Sequence, residues 1–380
     1  MRNFMQRRPG RVSGLVLFAL AIGTAAAGSS SAAQGSTLWA SPNGSGTACT
    51  APAPCSLAYA VTNAPAGGTV RALGGTYHGG VVISTPLTLH GSGNSILDAS
   101  TSANGVGILV NASNSEVDHF TVENAKFEGI LVRPPSPGST VSNVRIDHDA
   151  VLNNDTGYAA QTDGECHPNG EIPGDCGEGL HLWSATNSRV DHNEVSGNAG
   201  GILLTDEFGP NTGNEIDHNT SSNNIHDCGI TLASHTSNGV FDNTVDHNVA
   251  DGNGTAGEGA GILIAGAGPG TRASGNVISH NEASGNGLAG ITIHEHAPSN
   301  LNDNVLDHND LRNNNLTGDP DFNVSVTTDI LVGSAANAIT GTVISHNELS
   351  DAQIGIWTHN APSSLDHNVF SNVGTPVVSS

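Results

Sequence analysis

A four-residue motif returns along most of this chain: an aliphatic residue, Asp or Ser, His, then Asn. It reads VDH at 117–119, IDHD at 146–149, VDHN at 190–193, IDHN at 216–219 and VDHN at 245–248. It continues as ISHN at 278–281, LDHN at 306–309, ISHN at 344–347 and LDHN at 365–368. Recurrence at intervals of mostly 21–38 residues marks an architecture of stacked units, each too small to bury its apolar face alone. Most copies are followed by a second patterned piece, Gly-Ile-x-aliphatic, as in Gly201-Ile202-Leu203-Leu204. Alternation over four or five residues bounded by Asn and Gly predicts very short strands joined by tight turns.

Glycine supplies 49 of 380 residues and aromatics only 4%, which argues against helical repeats and leaves an all-β one. One coil of three such strands takes roughly 22 residues or more, and coils stack at about 4.8 Å, the distance between hydrogen-bonded strands. The expected fold is therefore a single-stranded, right-handed parallel β-helix in which each coil covers the open edge of the one before. Asn193, Asn219, Asn248, Asn281, Asn309, Asn347 and Asn368 are predicted to stack at one turn, and Asn198, Asn224, Asn253, Asn286 and Asn314 at another. Asn suits both jobs, because its amides bond along the stack and its backbone tolerates the left-handed region.

The first residues, MRNFMQRRPGRVSGLVLFALAIGTAAAGSSSAA, combine four arginines, an apolar run from Val12 to about Ala27 and small residues after it. That pattern predicts a secretory signal peptide over 1–33, cleaved after Ala27 or Ala33, and a protein exported to the periplasm or the extracellular space. The apolar run is too short for a membrane span, so no membrane insertion is expected. The β-helix domain would cover 34–380. Beyond residue 33 the chain holds 7 Lys+Arg against 35 Asp+Glu, a formal charge of −28, and Lys126 is the sole lysine. Such a surface excludes nucleic acid as a partner, and a polyanionic ligand would need a bridging cation such as Ca²⁺. Five cysteines suit an oxidising compartment: Cys49 with Cys55 and Cys166 with Cys176 bracket loop-like sequence and are expected to form local disulfides. Cys228 is left over as a buried thiol with nothing basic nearby to activate it.

The segment SLAYAVTNAPAGGTVRALGGTYHGGVVISTPLTLHGSGN at 56–94 resembles the cap and first coils of the right-handed parallel β-helix repeat superfamily. Pectate lyases, alginate lyases and epimerases, and NosD-like copper-associated proteins belong to that superfamily. The resemblance implies a short capping helix from Ser56 to about Asn63, entry to the first coil at Gly75-Thr76-Tyr77, and either a polysaccharide-modifying activity or a non-catalytic metal-associated role. Lyases of this kind commonly take Arg or Lys as base, often with Ca²⁺. Here the strand column offers only Arg133, well before the chemically rich coils, so a pectate-lyase-like mechanism is disfavoured.

Aligning the coils on Gly-Ile places His181 and Trp183 on one coil, Thr205, Asp206 and Glu207 on the next, and Ser234 and His235 on the third. His294, Glu295 and His296 follow two coils later, and an insertion at 161–178 interrupts the repeat just before the patch. Positions between the inward residues are expected to line an outer groove. Carboxylates there would do acid or base work on a sugar chain, with Asp206 and Glu207 as acid/base or nucleophile and His181 and His235 moving protons. Trp183 would stack on a sugar face, and Gln161, Asp163 and His294 would complete the substrate contacts. His294 and His296 are the candidate metal ligands, although two ligands do not make a site. For the recurring histidines (His192, His218, His247, His280, His308, His346, His367) the simplest reading is a stacking row beside the Asn column, with a one-dimensional metal-binding row as its rival.

The sequence thus points to an exported polysaccharide hydrolase, lyase or epimerase, as a monomer or a side-by-side homo-oligomer. The rivals are a non-catalytic metal-binding protein and a cell-surface interaction scaffold.

Overall fold

The computed structural model describes residues 36–157, 178–257, 259–295 and 297–380. The leader at 1–33, Gln161, Asp163, Cys166, Cys176 and His296 lie outside the described residues. Among the described residues no helix is long and apolar enough to cross a membrane.

One coil shows how the sequence makes the fold. Arg189–Asp191 is a strand, His192 and Asn193 turn the corner, and Glu194–Ser196 is the next strand. Gly197 and Asn198 turn again, Gly200–Thr205 forms the longest strand, and Asn211–Thr212 leads to a third corner at Gly213 and Asn214. The chain then enters Glu215–Asp217, which pairs in parallel with Arg189–Asp191 as Arg189↔Glu215, Val190↔Ile216 and Asp191↔Asp217. Every corner has the same construction: one residue with a left-handed backbone, then one inward side chain. The left-handed residues of this coil are His192 (φ 59°), Gly197 (φ 69°) and Gly213 (φ 68°), drawn from the types that enter that region at least cost.

The inward asparagines bond as expected. Asn193 Nδ2 donates to Asn219 Oδ1 at 2.9 Å and to the Ile146 carbonyl at 3.0 Å, while its Oδ1 accepts from the Asp149 amide at 2.9 Å. The column runs on through Asn248, Asn281, Asn309, Asn347 and Asn368, and the second runs from Asn154 through Asn198 to Asn314. A third, not anticipated from the sequence, joins Asn214, Asn243, Asn276 and Asn304. Between the corners Val190, Ile216, Val245, Ile278, Leu306 and Ile344 fill the interior from one sheet and Leu180, Ile202, Ile230, Ile262, Ile291 and Ile330 from another, all essentially unexposed. Glycine opens the second sheet's strands because coils approach closely there: a Cβ on Gly201 would lie 2.1 Å from the Gly229 carbonyl oxygen.

The N-terminal end is closed by a helix at Leu57–Asn63, whose N-cap Ser56 accepts a hydrogen bond from the Tyr59 amide at 3.3 Å. Leu57, Ala60 and Val61 cover the first coils. The Cys49–Cys55 disulfide is formed and Cys228 is a buried free cysteine. Burial above all pushes the Cys228 thiol up, and the charge of Asp227 adds to the effect, so it is unreactive.

Two acids cap the asparagine columns, Asp149 from a column position and Asp329 from the strand Thr328–Ser334. Asp149 heads the first column, accepting from the Phe120 amide at 2.7 Å, and Asp329 ends the second, accepting from Asn314 Nδ2 at 3.2 Å. Burial raises both; Asp149 is held well above the carboxylate range and Asp329 is pushed up to about 7. A folded pKa above the unfolded value contributes stability that is complete below about pH 4 and is lost as pH rises through the folded pKa. For Asp329 that loss centres near pH 7. Asp329→Asn is therefore expected to stabilise the protein by about 1–3 kcal/mol at alkaline pH and to have little effect near pH 4. Thermal melts of both proteins across pH would show it; an equal effect at both ends would refute the assignment.

Candidate active site

The strands Glu178–Trp183, Gly200–Thr205 and Ile230–Ser234 lie side by side, with Leu180↔Ile202↔Ile230 and Trp183↔Thr205 in register. Their C-terminal ends deliver most of the residues singled out in the sequence to one region. Glu207 Oε1 lies 2.7 Å from His235 Nδ1, and both side chains are at most one-tenth exposed. Desolvation alone would raise the Glu207 pKa, but the hydrogen bond from His235 and the charges of His235 and His181 outweigh it and hold this carboxyl below the usual range. An ionised Glu207 fixes the proton on His235 Nδ1, which makes Nε2 the proton-transferring nitrogen.

His181 lies in the same region, its Nε2 2.9 Å from Thr205 Oγ1 and its Nδ1 3.7 Å from Glu128 Oε1. It is fully buried, as is Glu128, and Glu178 is nearly so. Glu178 ends the insertion that the sequence places beside this patch, whereas Glu128 was not identified from sequence, although both carry one readable signal: Glu immediately before the glycine that opens the strand, at Glu128-Gly129 and Glu178-Gly179.

Three expectations need correction. Asp206 is wholly buried and not an open acid/base. It accepts hydrogen bonds from the amides of His235 at 2.7 Å, Thr236 at 3.1 Å and Gly239 at 2.5 Å, and from the hydroxyls of Ser234 at 3.2 Å and Thr236 at 2.9 Å. It shapes the turn that carries His235. Trp183 is no open sugar platform: it is unexposed, stacked on His181 at 5.7 Å, met by Phe208 at 4.9 Å and overlaid by the Arg133 guanidinium at 5.2 Å. The outer face of this sheet is not a bare groove either. Val106, Leu109, Leu131, Trp183 and Phe208 form a second apolar layer over it, and Phe322 and Val324 do the same over Leu331 and Trp357.

Further along, His294 is nearly buried, 3.8 Å from Asp321, apart from the Glu207–His235 pair in the strand register. Its neighbour Glu295 repeats the Asp206 device, accepting from the Ser299 amide at 2.6 Å, the Asn337 amide at 3.0 Å and the Ser334 hydroxyl.

A family model described as the right handed beta helix region matches residues 80–278, just over half of the chain. The protein belongs to this right-handed β-helix family. No curated protein matches it in sequence. Solved structures do resemble this β-helix. Pectate lyase Pel9A aligns with a TM-score of 0.53 at 16% identity, covering 82% of this chain and 79% of its own. The A-module of mannuronan C-5 epimerase AlgE4 from Azotobacter vinelandii aligns at 0.46 and 16%, over 85% and 92% of the two chains. The GH136 lacto-N-biosidase from Eubacterium ramulus gives 0.49 and 9%, over 90% and 68%. At such identities the likeness of this β-helix to these enzymes is one of fold, and its chemistry has to be argued from its own residues.

Proposed function

We propose that the protein is an exported carbohydrate-active enzyme that cleaves or modifies a polysaccharide, with Glu207 and His235 as its proton-transfer pair. The observation that carries this reading is the 2.7 Å contact between Glu207 Oε1 and His235 Nδ1, an orienting carboxylate behind an imidazole. Glu207 holds the tautomer and stabilises the imidazolium when it forms, while Asp206 positions the His235 backbone. His181, one coil earlier and bonded to Thr205, supplies a second imidazole whose charge is felt at Glu207. One imidazole taking a proton while a second group returns one is common to hydrolysis, elimination and epimerisation of glycosides. The carbohydrate-acting proteins that share the fold support the substrate class, and an acidic polymer would approach this negatively charged protein with a cation such as Ca²⁺ between them.

The purified protein should be incubated with neutral and acidic polysaccharides, with and without Ca²⁺. Reducing ends, ultraviolet absorbance of unsaturated uronates and gel retardation by each polymer would be read in parallel. Reducing ends alone would identify a hydrolase; both signals would identify a lyase. Absence of both product signals and of retardation by every polymer in the panel would overturn the proposal.

A further inference from the structure

The histidines of the repeat motif form a single outer row. From His119 to His367 nine imidazoles stack nearly parallel, and His90 adds a tilted tenth. Through the earlier coils the spacing is even, with ring centroids 5.0 Å apart for His148–His192, His192–His218 and His218–His247. The later coils alternate. His247–His280 closes to 4.7 Å, His280–His308 opens to 5.1 Å, His308–His346 closes to 4.6 Å and His346–His367 opens to 5.1 Å.

The sequence explains the alternation. In the middle coils each histidine has its own aspartate, His192 Nδ1 bonding Asp191 at 3.1 Å and His218 Nδ1 bonding Asp217 at 2.9 Å, whereas at the start of the row Asp118 takes both His90 Nδ1 at 2.7 Å and His119 Nδ1 at 3.0 Å on one oxygen. In the later coils Ser279 and Ser345 replace every second aspartate, so one carboxylate serves two rings. Asp246 takes His247 Nδ1 at 2.5 Å on Oδ2 and His280 Nδ1 at 3.0 Å on Oδ1. Asp307 takes His308 Nδ1 at 2.8 Å and His346 Nδ1 at 3.1 Å in the same way. In each set the three ligating atoms lie within 4.8 Å of one another.

We propose that Asp246 with His247 and His280, and Asp307 with His308 and His346, are two binding sites for a divalent transition-metal ion. Two imidazole nitrogens and one carboxylate oxygen are a donor set suited to Zn²⁺, with water as the fourth ligand. Bonds of about 2.0–2.2 Å to these atoms would need only a small outward shift of each donor. Entry of the ion moves each neutral imidazole's proton from Nδ1 to the outer Nε2, so no proton need leave a neutral ring. Ser279 Oγ donates to Asp246 Oδ1 at 2.6 Å and Ser345 Oγ to Asp307 Oδ1 at 2.6 Å, fixing the carboxylate plane as partners of metal-bound carboxylates do.

Charge separates these two sets from the earlier coils. Asp191 is gripped by the Arg145 guanidinium at 3.1 and 2.9 Å, and Asp217 by that of Arg189 at 2.9 and 2.7 Å. The cation is already in place there. The residues that follow Arg189 in register are Glu215, Thr244, Val277, Val305 and Val343, none of them a cation. The hydrogen-bond partners of Asp246 and Asp307 are accordingly imidazoles and serine and not a guanidinium. Serine and both histidines converge on each carboxylate, so its two oxygens are already held toward the imidazole nitrogens. The rings themselves are about half exposed, which leaves an entry path.

The test is calorimetric titration of the chelator-treated, intact protein with Zn²⁺, and visible absorption with Co²⁺. His280→Asn and His346→Asn keep a residue that tolerates the left-handed corner; melting curves confirm folding. Each is expected to remove one equivalent of Zn²⁺ and part of the Co²⁺ band, and together two, whereas His218→Asn removes none. No Zn²⁺ binding, full binding by the folded double variant, or an equal loss in His218→Asn would overturn the proposal. The two sites follow the strands Thr244–Asp246 and Val305–Asp307, in a different sheet from the strand ends that carry Glu207 and His235, so activity on polysaccharide is not needed to read them.

Discussion

Asp206→Ala is expected to cost about 3–5 kcal/mol of stability, enough to be seen as a large shift in the midpoint of urea unfolding. The carboxylate is the common acceptor for three backbone amides and two hydroxyls of 234–239. Without it those donors stay buried and unpaired, at about 1–3 kcal/mol for each that water cannot reach. Asp206→Asn should recover part of the loss. One amide oxygen can still accept from the His235 and Thr236 amides, but an amide nitrogen would then oppose the Gly239 N–H. A midpoint within error of the unaltered protein for Asp206→Ala would show that the turn does not depend on this side chain.

Glu207→Gln is expected to lower turnover by about 10²–10⁴-fold on the polysaccharide that the screen identifies, with little change in melting temperature. Glutamine keeps the shape and can still accept the His235 Nδ1 hydrogen bond, so the fold is maintained. It carries no charge, so the imidazolium formed during proton transfer loses its counter-ion. The loss should fall on kcat more than on KM, because the interaction strengthens only as charge develops. Retention of full turnover would remove Glu207–His235 as the catalytic pair while leaving the carbohydrate reading open.

The architecture was legible because the corner device is written into every coil. A left-handed residue followed by an inward Asn produces a period that survives loops of different length, and the aliphatic positions between corners have no other place to go. The third column, at Asn214, Asn243, Asn276 and Asn304, carried the same signal five residues before the first-column asparagines. It was masked by the more conspicuous histidines. The site was harder to read for a physical reason. Strand alternation says that Trp183 points away from the interior, and it does, but not that Val106, Leu109 and Phe208 form a second layer over that face. Likewise the adjacent acids Asp206 and Glu207 look equivalent in sequence. The chain leaves the strand at Thr205, so alternation no longer decides where either points, and one is spent on a turn while the other meets His235.

Successive members of the first asparagine column are separated by 26, 29, 33, 28, 38 and 21 residues, yet their side-chain contacts stay at 2.9–3.0 Å. Extra residues accumulate elsewhere around the coil and leave the pitch of this edge unchanged. The edge therefore serves as a fixed datum for the whole molecule. Segments can be lengthened, shortened or grafted on the far side without re-registering the neighbouring coils, so new surface chemistry can be acquired one loop at a time.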